Sequence, residues 1–264
     1  MLWSRRRLFR YWQRATAAYL LLTLLATVLI DYLPTFALPA ALERADDVLW
    51  VTAHPDDESF FFAPAILNLL QRKPRRGALL CLSTGDHEGR GPERVDELKA
   101  SCERLGIAPD RCVAINVPSL QDEPETWWEA SDVQAEVERW LTTWRPDAIL
   151  TFDTYGVSGH ANHRAIGAAM RDAAQTGRYP PIYAVQSTNV LAKFTSVLLL
   201  PYVVVSHTLL ASNRDETAIF VSSLRQYRAA LASFHAHQSQ ARWFRTLFIY
   251  FSRYLWYVTA TRVA

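Results

Sequence analysis

The sequence predicts an α/β fold: a Rossmann-like, mostly parallel sheet with helices on both faces, preceded by an N-terminal membrane segment. From residue 45 onward, strand-like apolar runs alternate with stretches of helical periodicity. The strand-like runs are almost continuously apolar, as expected of strands that are buried on both faces. The chain has 264 residues, half of them hydrophobic, which suits one large α/β domain better than two small ones.

The N-terminal membrane segment is predicted from an uncharged run, ATAAYLLLTLLATVLI at 15–30, that follows an arginine cluster. The run is slightly shorter than the roughly 20 residues that cross a bilayer, so flanking residues up to Leu33 would share the interface. A secretory signal peptide would look similar, but no small-x-small cleavage site with a polar flank follows. We therefore predict a membrane anchor and linker over residues 1–44 and a second domain over 45–264.

The side of the membrane on which this domain lies is left open by the residues. The arginine-rich start should stay in the cytoplasm and would send residues 45–264 across the membrane. Against this, the three cysteines, Cys81, Cys102 and Cys112, are odd in number without paired spacing, and no Asn-x-Ser/Thr acceptor occurs. A reduced, unglycosylated cytosolic domain would show both features.

Two β–α units open the second domain. DVLWVTA at 47–53 predicts the first strand, and an apolar periodicity over 59–72 predicts the helix after it. GALLCLS at 77–83 predicts the second strand. The amphipathic helix that follows, over 93–105, should end at Gly106, a residue type that commonly closes helices.

Two further units continue the alternation. A weaker strand is predicted at 111–117, followed by a helix over 129–144 whose apolar residues recur at helical spacing. DAILTFD at 147–153 predicts the fourth strand, and a helix should cover about 161–175. Strands separated by helices in this way form a parallel sheet.

The C-terminal part of the chain is rich in aromatic residues. RWFRTLFIYFSRYLWYV at 242–258 combines them with arginines, as in a helix or paired segment that lies at a lipid interface. A core helix that closes the sheet is an equal alternative. SVLLLPYVVV at 196–205 is broken by Pro201 and too short to span a bilayer, so it either dips into lipid or forms sheet and loop.

The charge composition argues against nucleic acid as a partner. Lys and Arg number 28 against 26 Asp and Glu, so the formal net charge is only +2. No basic stripe or RNA-binding signature runs through the body of the chain.

Polar clusters follow three of the predicted strands. HPDDE at 54–58 follows the first strand, TGDHEGRG at 84–91 the second, and TYGVSGHANH at 154–163 the fourth. Ligands of parallel α/β sheets bind beyond the carboxyl ends of the strands, so these loops should meet at one site.

The acids of HPDDE need a partner, because buried charge is costly unless it is paired or bound to metal. Pro55 favours an extended conformation at His54, and successive side chains of an extended segment point to opposite sides. Asp56 and Asp57 should therefore divide their roles. We predict that one of them binds an ion beside His54 while the other faces a substrate.

The third ligand would come from GHANH, as either His160 or His163. Two histidines and one carboxylate with an open fourth position are typical of catalytic zinc, whereas structural sites are usually closed by cysteines. Singly, His54 and His163 would be read as core or capping histidines, and the acids at 56–58 as helix caps. We favour the metal site because two separate motifs together supply a complete ligand set.

Residues 48–257 resemble the N-acetylglucosaminyl-phosphatidylinositol de-N-acetylases, eukaryotic members of the LmbE-like zinc deacetylase family. The first and fourth matching segments mark the whole superfamily, and the others point to the glycolipid branch. In family order, the segments are AHPDDE (53–58), LSTGDHEGRGPERVDEL (82–98), SCERLGI (101–107), TFDTYGVSGHANH (151–163), QSTNVL (186–191) and FSRY (251–254).

The resemblance implies roles for five residues. His54, Asp57 and His163 would be the metal ligands, with Zn²⁺ as the cofactor or another divalent ion in its place. Asp56 would be the general base that takes a proton from the attacking water. His160, either protonated or as a neutral hydrogen-bond donor, would stabilise the oxyanion of the transition state.

Two further positions match the family less specifically. Arg94 and Glu97 stand at its Arg-x-x-Glu pair, which implies a phosphate or sugar contact by Arg94; an ordinary i,i+3 helix pair is equally plausible. Asp122 matches an acidic position that would hold a sugar hydroxyl, although a loop or cap acid is the simpler alternative. His235 and His237 receive no metal role.

The implied reaction is hydrolysis of the N-acetyl group of N-acetylglucosaminyl-phosphatidylinositol in GPI-anchor biosynthesis, giving acetate and glucosaminyl-phosphatidylinositol. The implied partners are this glycolipid and the membrane. The implied place is the endoplasmic reticulum membrane, with the catalytic domain on the cytosolic face. The alternatives are a deacetylase of a soluble N-acetylglucosamine conjugate and a catalytically silent sugar-lipid-binding protein.

Overall fold

A seven-stranded sheet runs through the computed structural model, which describes residues 5–29, 38–210 and 216–264. The strands are β1 (Asp47–Thr52), β2 (Arg76–Cys81), β3 (Cys112–Ala114), β4 (Ala148–Phe152), β5 (Ile182–Val185), β6 (Thr217–Val221) and β7 (Tyr257–Arg262). Their order across the sheet is β3-β2-β1-β4-β5-β7-β6. The first five in this order are parallel, and β7 is antiparallel to both β5 and β6.

Helices cover both faces of this sheet. They are α1 (Arg5–Leu29), α2 (Ala40–Arg44), α3 (Ala63–Arg72), α4 (Gly91–Leu105), α5 (Ala130–Trp144), α6 (Ala161–Gln175), α7 (Val190–Lys193), α8 (Leu200–Leu210), α9 (Leu224–Phe234) and α10 (Trp243–Phe251). One group consists of α3, α4 and α9, and another of α5 and α6. Every residue of β1 and β4 is buried, which requires cover on both sides. The predicted mostly parallel α/β fold is confirmed.

The sheet has a topological switch point between β1 and β4. From β1 the chain moves outward through β2 to β3, and it then returns to the other side of β1 to form β4 and β5. The connections therefore leave β1 and β4 in opposite directions and open a crevice at their carboxyl ends. Such crevices are where ligands bind in open α/β sheets.

The predicted elements agree with the structure except at three places. The strand predicted at 111–117 is only Cys112–Ala114, and the helix predicted over 59–72 begins as a π-helical turn, Glu58–Phe62. This wider turn buries three consecutive phenylalanines. The sheet-and-loop alternative for 196–205 is wrong, because α8 begins at Leu200. Gly106 closes α4 in the left-handed conformation, as predicted.

The cysteines also differ from expectation. Cys102 near the end of α4 and Cys112 at the start of β3 form a disulfide, although their sequence spacing had suggested no pair. Helix and strand bring their Cα atoms to 6.4 Å, a separation within the usual disulfide range. Cys81 is free and buried in β2.

The predicted membrane run at 15–30 lies almost entirely within α1. Among the described residues, no helix has both the length and the apolar character needed to cross a membrane. The prediction of a spanning N-terminal segment is therefore not supported. Instead, α1 packs against α8, and the Tyr19 hydroxyl donates a hydrogen bond to the carbonyl of Leu198. Residues 1–4 and 30–37 of the predicted anchor and linker lie outside the described residues.

Helix α10 carries two kinds of surface. Ile249 is buried in the core, and the segment continues into β7, which joins the sheet between β5 and β6. About half or more of each of five other apolar side chains is exposed: Trp243, Phe244, Leu247, Tyr250 and Phe251. The buried residue agrees with the alternative of a core segment that closes the sheet, and the lipid-interface alternative stays a prediction.

Candidate metal and catalytic site

The predicted site residues meet at the switch point. His54, Asp56 and Asp57 follow β1, whereas His160 and His163 lie at the start of α6, which follows β4. The adjacent strands β1 and β4 end side by side, so residues more than a hundred positions apart in sequence come within contact distance.

Asp57 is fixed by the backbone of its own loop. Its Oδ2 accepts hydrogen bonds from the N–H groups of Ala53 and His54, each at 2.9 Å. The other oxygen, Oδ1, lies 3.2 Å from His163 Nε2. Burial acts to raise the pKa of Asp57, but the neighbouring His163 and His54 outweigh it and hold that pKa well below its ordinary value. The carboxylate therefore stays ionised and directed at the histidines.

Asp56 and Asp57 point to different partners, as predicted, but not because the loop is extended. Asp56 adopts φ of 127°, a backbone conformation that non-glycine residues seldom occupy. This turn sends its carboxylate towards Arg245 on α10, with which it forms a partly buried ion pair. Burial raises the pKa of Asp56, and Arg245 opposes that rise.

His163 presents one ring nitrogen to Asp57. Its Nδ1 lies 3.0 Å from the carbonyl of Gly156, which can only accept, so Nδ1 carries the proton and Nε2 keeps its lone pair. The backbone must come close for this contact. A Cβ atom at Gly156, where φ is 70°, would lie 2.5 Å from the Cβ of His163. The glycine is therefore required by the histidine that it orients.

His54 is oriented in the same way from the opposite side. Its Nε2 lies 3.1 Å from Asp122 Oδ1 and 3.0 Å from Asn162 Oδ1, two acceptors that place the proton on Nε2. The amide of Asn162 is fixed because its Nδ2 donates to the Thr126 carbonyl at 2.9 Å. His54 Nδ1 thus keeps its lone pair, 3.2 Å from His163 Nε2.

Three lone-pair donors consequently converge on one point: His54 Nδ1, Asp57 Oδ1 and His163 Nε2. A cation stabilises such an arrangement, which is otherwise repulsive. Ligand atoms about 2.0–2.1 Å from a tetrahedral zinc ion lie roughly 3.3 Å from one another. His163 Nε2 lies 3.2 Å from both His54 Nδ1 and Asp57 Oδ1, and the contact between His54 Nδ1 and Asp57 is longer, at 3.9 Å to Oδ2. His54, His160 and His163 can also bring one ring nitrogen each within 4.8 Å of the others. The residues present therefore fit a metal ion.

His160 begins α6 and differs from the other two histidines. Its Nδ1 accepts a hydrogen bond from the backbone N–H of Asn162 at 3.3 Å, so in the neutral ring the proton lies on Nε2. Burial, together with His54 and His163, lowers the pKa of His160 to about 4. The protonated form is thus disfavoured, and the predicted alternative of a neutral hydrogen-bond donor agrees with the geometry.

Arg94 and Asp122 lie beside the histidines and already have protein partners. Arg94 donates to the Pro55 carbonyl at 2.9 Å and to Gln240 at 2.8 Å, and Asp122 accepts from His54. The i,i+3 pair is not formed, because Glu97 accepts two hydrogen bonds from Ser239 instead. Asp122 is a partner of a metal-site histidine and not merely a loop acid. Their predicted substrate contacts stay predictions.

A cavity of about 760 Å³ opens onto these residues. One end is polar and contains the aspartates and histidines described above. The opposite wall is apolar and belongs mainly to the C-terminal helix α10, with one residue that directly follows α7: its side chains are Phe194, Phe244, Leu247, Phe248 and Phe251. The cavity thus joins a charged inner end to an aromatic mouth.

Four residues of the site were missed by sequence reasoning or given no role: Glu58, His237, Gln240 and Arg245. His237 and Glu58 are fully buried and lie 2.7 Å apart. An arginine within an aromatic helix signals a need for an acidic partner. Asp56, however, is 189 residues away, and nothing in the spacing identifies it.

Comparisons with known proteins find related sequences over most of the chain. The family model described as PIG-L, GlcNAc-PI de-N-acetylase, matches residues 49–174. The N-acetylglucosaminyl-phosphatidylinositol de-N-acetylase of Bos taurus is 38% identical over 210 residues, covering 78% of this chain and 79% of that protein. A probable enzyme of the same name from Schizosaccharomyces pombe is 31% identical over 211 residues, covering 80% and 84%.

A solved structure shows the same fold. The N,N'-diacetylchitobiose deacetylase from Pyrococcus horikoshii superposes with a TM-score of 0.57 over 80% of this chain and 79% of that one. The two sequences are 15% identical, so the likeness concerns the fold alone.

Proposed function

Since the chain belongs to the GlcNAc-PI de-N-acetylase family, we propose that it removes the N-acetyl group of N-acetylglucosaminyl-phosphatidylinositol, a step of GPI-anchor biosynthesis. The products are acetate and glucosaminyl-phosphatidylinositol. The observation that carries this assignment is the convergence of His54, Asp57 and His163 beside an ionisable Asp56 at the inner end of the cavity. The chain is a deacetylase, hence a hydrolytic enzyme.

The metal in this proposal is zinc, held by His54 Nδ1, Asp57 Oδ1 and His163 Nε2. In both histidines the other ring nitrogen donates to an acceptor, as it usually does in metal-binding imidazoles. When bound there, zinc would supply Lewis-acid chemistry, lowering the pKa of water and polarising the amide carbonyl. The alternative set replaces Asp57 by His160.

Two residues of the chain move or stabilise charge in the reaction. Asp56 accepts a proton from the water that attacks the acetamide carbonyl, and it later delivers that proton to the departing amine. His160 donates its Nε2–H to the oxygen that becomes negative in the tetrahedral intermediate. Because His160 Nδ1 accepts from the α6 backbone, this donor points away from the helix.

The shape of the cavity suits an amphipathic substrate. The acetamido sugar would occupy the polar end, where Arg94 and Asp122 could contact its hydroxyls or the phosphate. The phenylalanines of the opposite wall, Phe194, Phe248 and Phe251, would lie against the lipid part. A soluble conjugate would leave this aromatic wall exposed to water, which is why we favour the glycolipid.

An apolar surface outside the cavity supports association with a membrane. Trp243 is 76% and Tyr250 53% exposed on α10, and α1 and α8, which pack against each other, carry further exposed apolar side chains. Aromatic residues combined with arginines favour the lipid interface. We propose that the enzyme lies on a membrane surface with the cavity mouth facing the lipid.

The proposed location is the endoplasmic reticulum membrane, with the catalytic domain on the cytosolic face. Family resemblance supports it. The arginine-rich N terminus and the Cys102–Cys112 disulfide favour the opposite side. Protease added to sealed microsomes should degrade residues 45–264 on the cytosolic face; protection until detergent is added would reverse this topology.

The function is tested by acetate release from the glycolipid. Enzyme stripped of metal should be inactive, and zinc should restore activity. The water-soluble head group, N-acetylglucosaminyl-inositol phosphate, is the matched substrate: we expect a higher kcat/KM for the glycolipid. Equal kcat/KM values would favour the soluble-conjugate deacetylase, and no acetate from either substrate would favour the silent binding protein.

A further inference from the structure

A closed ring of polar contacts holds Asp56 from two directions. Its backbone N–H donates to Glu58 Oε2 at 3.0 Å, and Glu58 Oε1 lies 2.7 Å from His237 Nε2. His237 Nδ1 lies 3.2 Å from Gln240 Nε2, and Gln240 Oε1 accepts from Arg245 at 2.8 Å. Arg245 closes the ring by donating to Asp56 Oδ2. Backbone and carboxylate of the same residue are thus tied into one network.

The ring is assembled in the interior of the protein. Glu58 and His237 are both 0% exposed, and Asp56 is 6% exposed. Glu58 also accepts from the hydroxyls of Ser59 at 2.8 Å and Ser101 at 2.5 Å. A buried polar network whose members are all hydrogen-bonded is rigid, because any displacement leaves a polar group unpaired.

Such rigidity matters at Asp56 because of its backbone conformation. A non-glycine residue with a φ of 127° costs on the order of 1–3 kcal/mol and persists only when its surroundings enforce it. The ring supplies that enforcement at the N–H and at Oδ2. Asp56 also lines the cavity, and among the described residues its Oδ1 accepts no hydrogen bond, so this oxygen is free to take a proton.

Arg245 is better placed to hold Asp56 than to bind an anionic substrate. Its Nη1 donates to both Asp56 and Gln240, and its guanidinium lies over the Phe60 ring at 5.8 Å. The side chain is 30% exposed. Recruiting it to a phosphate would break the ring and leave the Asp56 carboxylate buried without its cation, which is costly.

We propose that Arg245, itself held by Gln240, is a positioning residue that aims the Asp56 carboxylate at the reacting water. This inference rests on the proposed function, in which Asp56 is the general base. It assigns a role in proton transfer to residues 237–245, which lie outside the segment matched by the family model. The arginine also couples the base to α10, the helix with the exposed aromatic side chains.

The test compares Arg245→Met, Arg245→Lys and Arg242→Met in the full chain, loaded with zinc and assayed on glycolipid in detergent micelles. Arg242 is the matched control: it lies three residues earlier, is mostly exposed, and pairs with the exposed Glu88 at 3.4 Å. We expect Arg245→Met to lower kcat by about 10- to 100-fold, because a misplaced base loses roughly that factor. Its KM should change less than about twofold, since Arg245 binds no substrate.

Arg245→Lys should recover part of the lost kcat, and Arg242→Met should match the wild type. Bound zinc, measured by metal analysis, should stay close to the wild-type value in all three variants. The thermal unfolding midpoint should stay at the wild-type value in Arg242→Met and fall in Arg245→Met, because the Asp56 carboxylate then lacks its cation; kinetics are therefore measured well below that midpoint. In an Asp56→Asn background, Arg245→Met should reduce the residual rate by less than about twofold, because the group that it positions is already disabled.

Several results would overturn the inference. A raised KM at unchanged kcat would make Arg245 a substrate-binding residue, and loss of zinc would make it a support of the ligand set. If Arg245→Met lowers kcat as much in the Asp56→Asn background as in the wild type, Arg245 does not act through Asp56. Wild-type kcat and KM in Arg245→Met would show that the Arg245–Asp56 ion pair has no role in catalysis. A wild-type enzyme that releases no acetate would instead refute the proposed function itself.

Discussion

Two regions of the chain build the cavity: one supplies the candidate metal ligands, and the other supplies an arginine and most of the aromatic wall. The strand-end region, 53–58 with 156–163, supplies the histidines and Asp57 from the carboxyl ends of β1 and β4. The C-terminal region, 237–251, supplies the arginine that contacts Asp56 and most of the aromatic wall. In the first region, 53–58 is wholly buried and 156–163 is buried at both ends, whereas the second region has one face in the core and one in solvent.

The two regions differ in how precisely they can position side chains in the cavity. Loops at adjacent parallel strands are held by the sheet, so they can keep three ligand atoms within a few tenths of an ångström. A helix packed over the cavity can carry long side chains into the site while it presents others to lipid. Substitutions in the strand-end region should therefore abolish the chemistry, and those in the C-terminal region should change its efficiency or its access.

The largest effect is expected for His163→Ala. The substitution removes one of three proposed ligands, so the variant should lose both bound zinc and measurable acetate release. Zinc content by metal analysis and turnover of the glycolipid check this directly. Full zinc occupancy in the variant would mean that the ion is bound by ligands other than His163. The proposal that the strand-end region holds the metal through this histidine would then be wrong.

Asp56→Asn should separate chemistry from metal binding. The amide preserves the size of the side chain but cannot accept the proton, so kcat should fall by about 10²- to 10⁴-fold. Zinc content should stay near the wild-type value because Asp56 is not among the proposed ligands. Equal loss of zinc in Asp56→Asn and His163→Ala would refute the division of roles between the two aspartates.

His160→Ala distinguishes the two candidate ligand sets. If His160 donates to the oxyanion, kcat should fall by about 10²- to 10³-fold while zinc content and KM change little. If the three histidines bind the ion, zinc should be lost as it is in His163→Ala. An effect on KM alone would exclude both roles.

The fold and the strand-end region could be predicted because their signals are local. Continuous apolar runs, helical periodicity and Gly106 gave the order of the elements, and the polar clusters at 54–58 and 154–163 had to meet once the strands were parallel. The residues alone left His160 and His163 as alternative ligands, and the family resemblance assigned His163. The structure adds that Nδ1 of His160 is occupied by the α6 backbone, whereas the ring as a whole stays close enough to His54 and His163 for the alternative ligand set.

The C-terminal region could not be predicted in the same way. Its partners lie about 180 residues away in sequence, as with His237 and Glu58, and no periodicity encodes such contacts. The Cys102–Cys112 disulfide depends on how α4 returns to β3, and spacing alone does not reveal that distance. The N-terminal run had the composition of a membrane segment, but the arginines at its start and its packing on α8 give α1 a mixed character.

The smallest effect is expected at the outer face of α10. Trp243 and Tyr250 are exposed and do not line the cavity, so Trp243→Ser with Tyr250→Ser should leave kcat on the water-soluble head group unchanged. On glycolipid in vesicles, KM should rise by about five- to tenfold, because loss of the two aromatic rings from a lipid interface together weakens binding by about 1 to 1.4 kcal/mol.

Leu224→Ser, an exposed apolar residue on α9, is the control and should behave as wild type on both substrates. A vesicle flotation assay should show the same loss of membrane binding for the α10 variant without any chemistry. If the α10 variant instead loses activity equally on vesicles and on the soluble head group, the outer face of α10 supports the site through the core. A surface that only binds lipid cannot change activity on a substrate that never contacts lipid. Equal loss on both substrates would therefore mean that the C-terminal region and the strand-end region depend on each other for their structure.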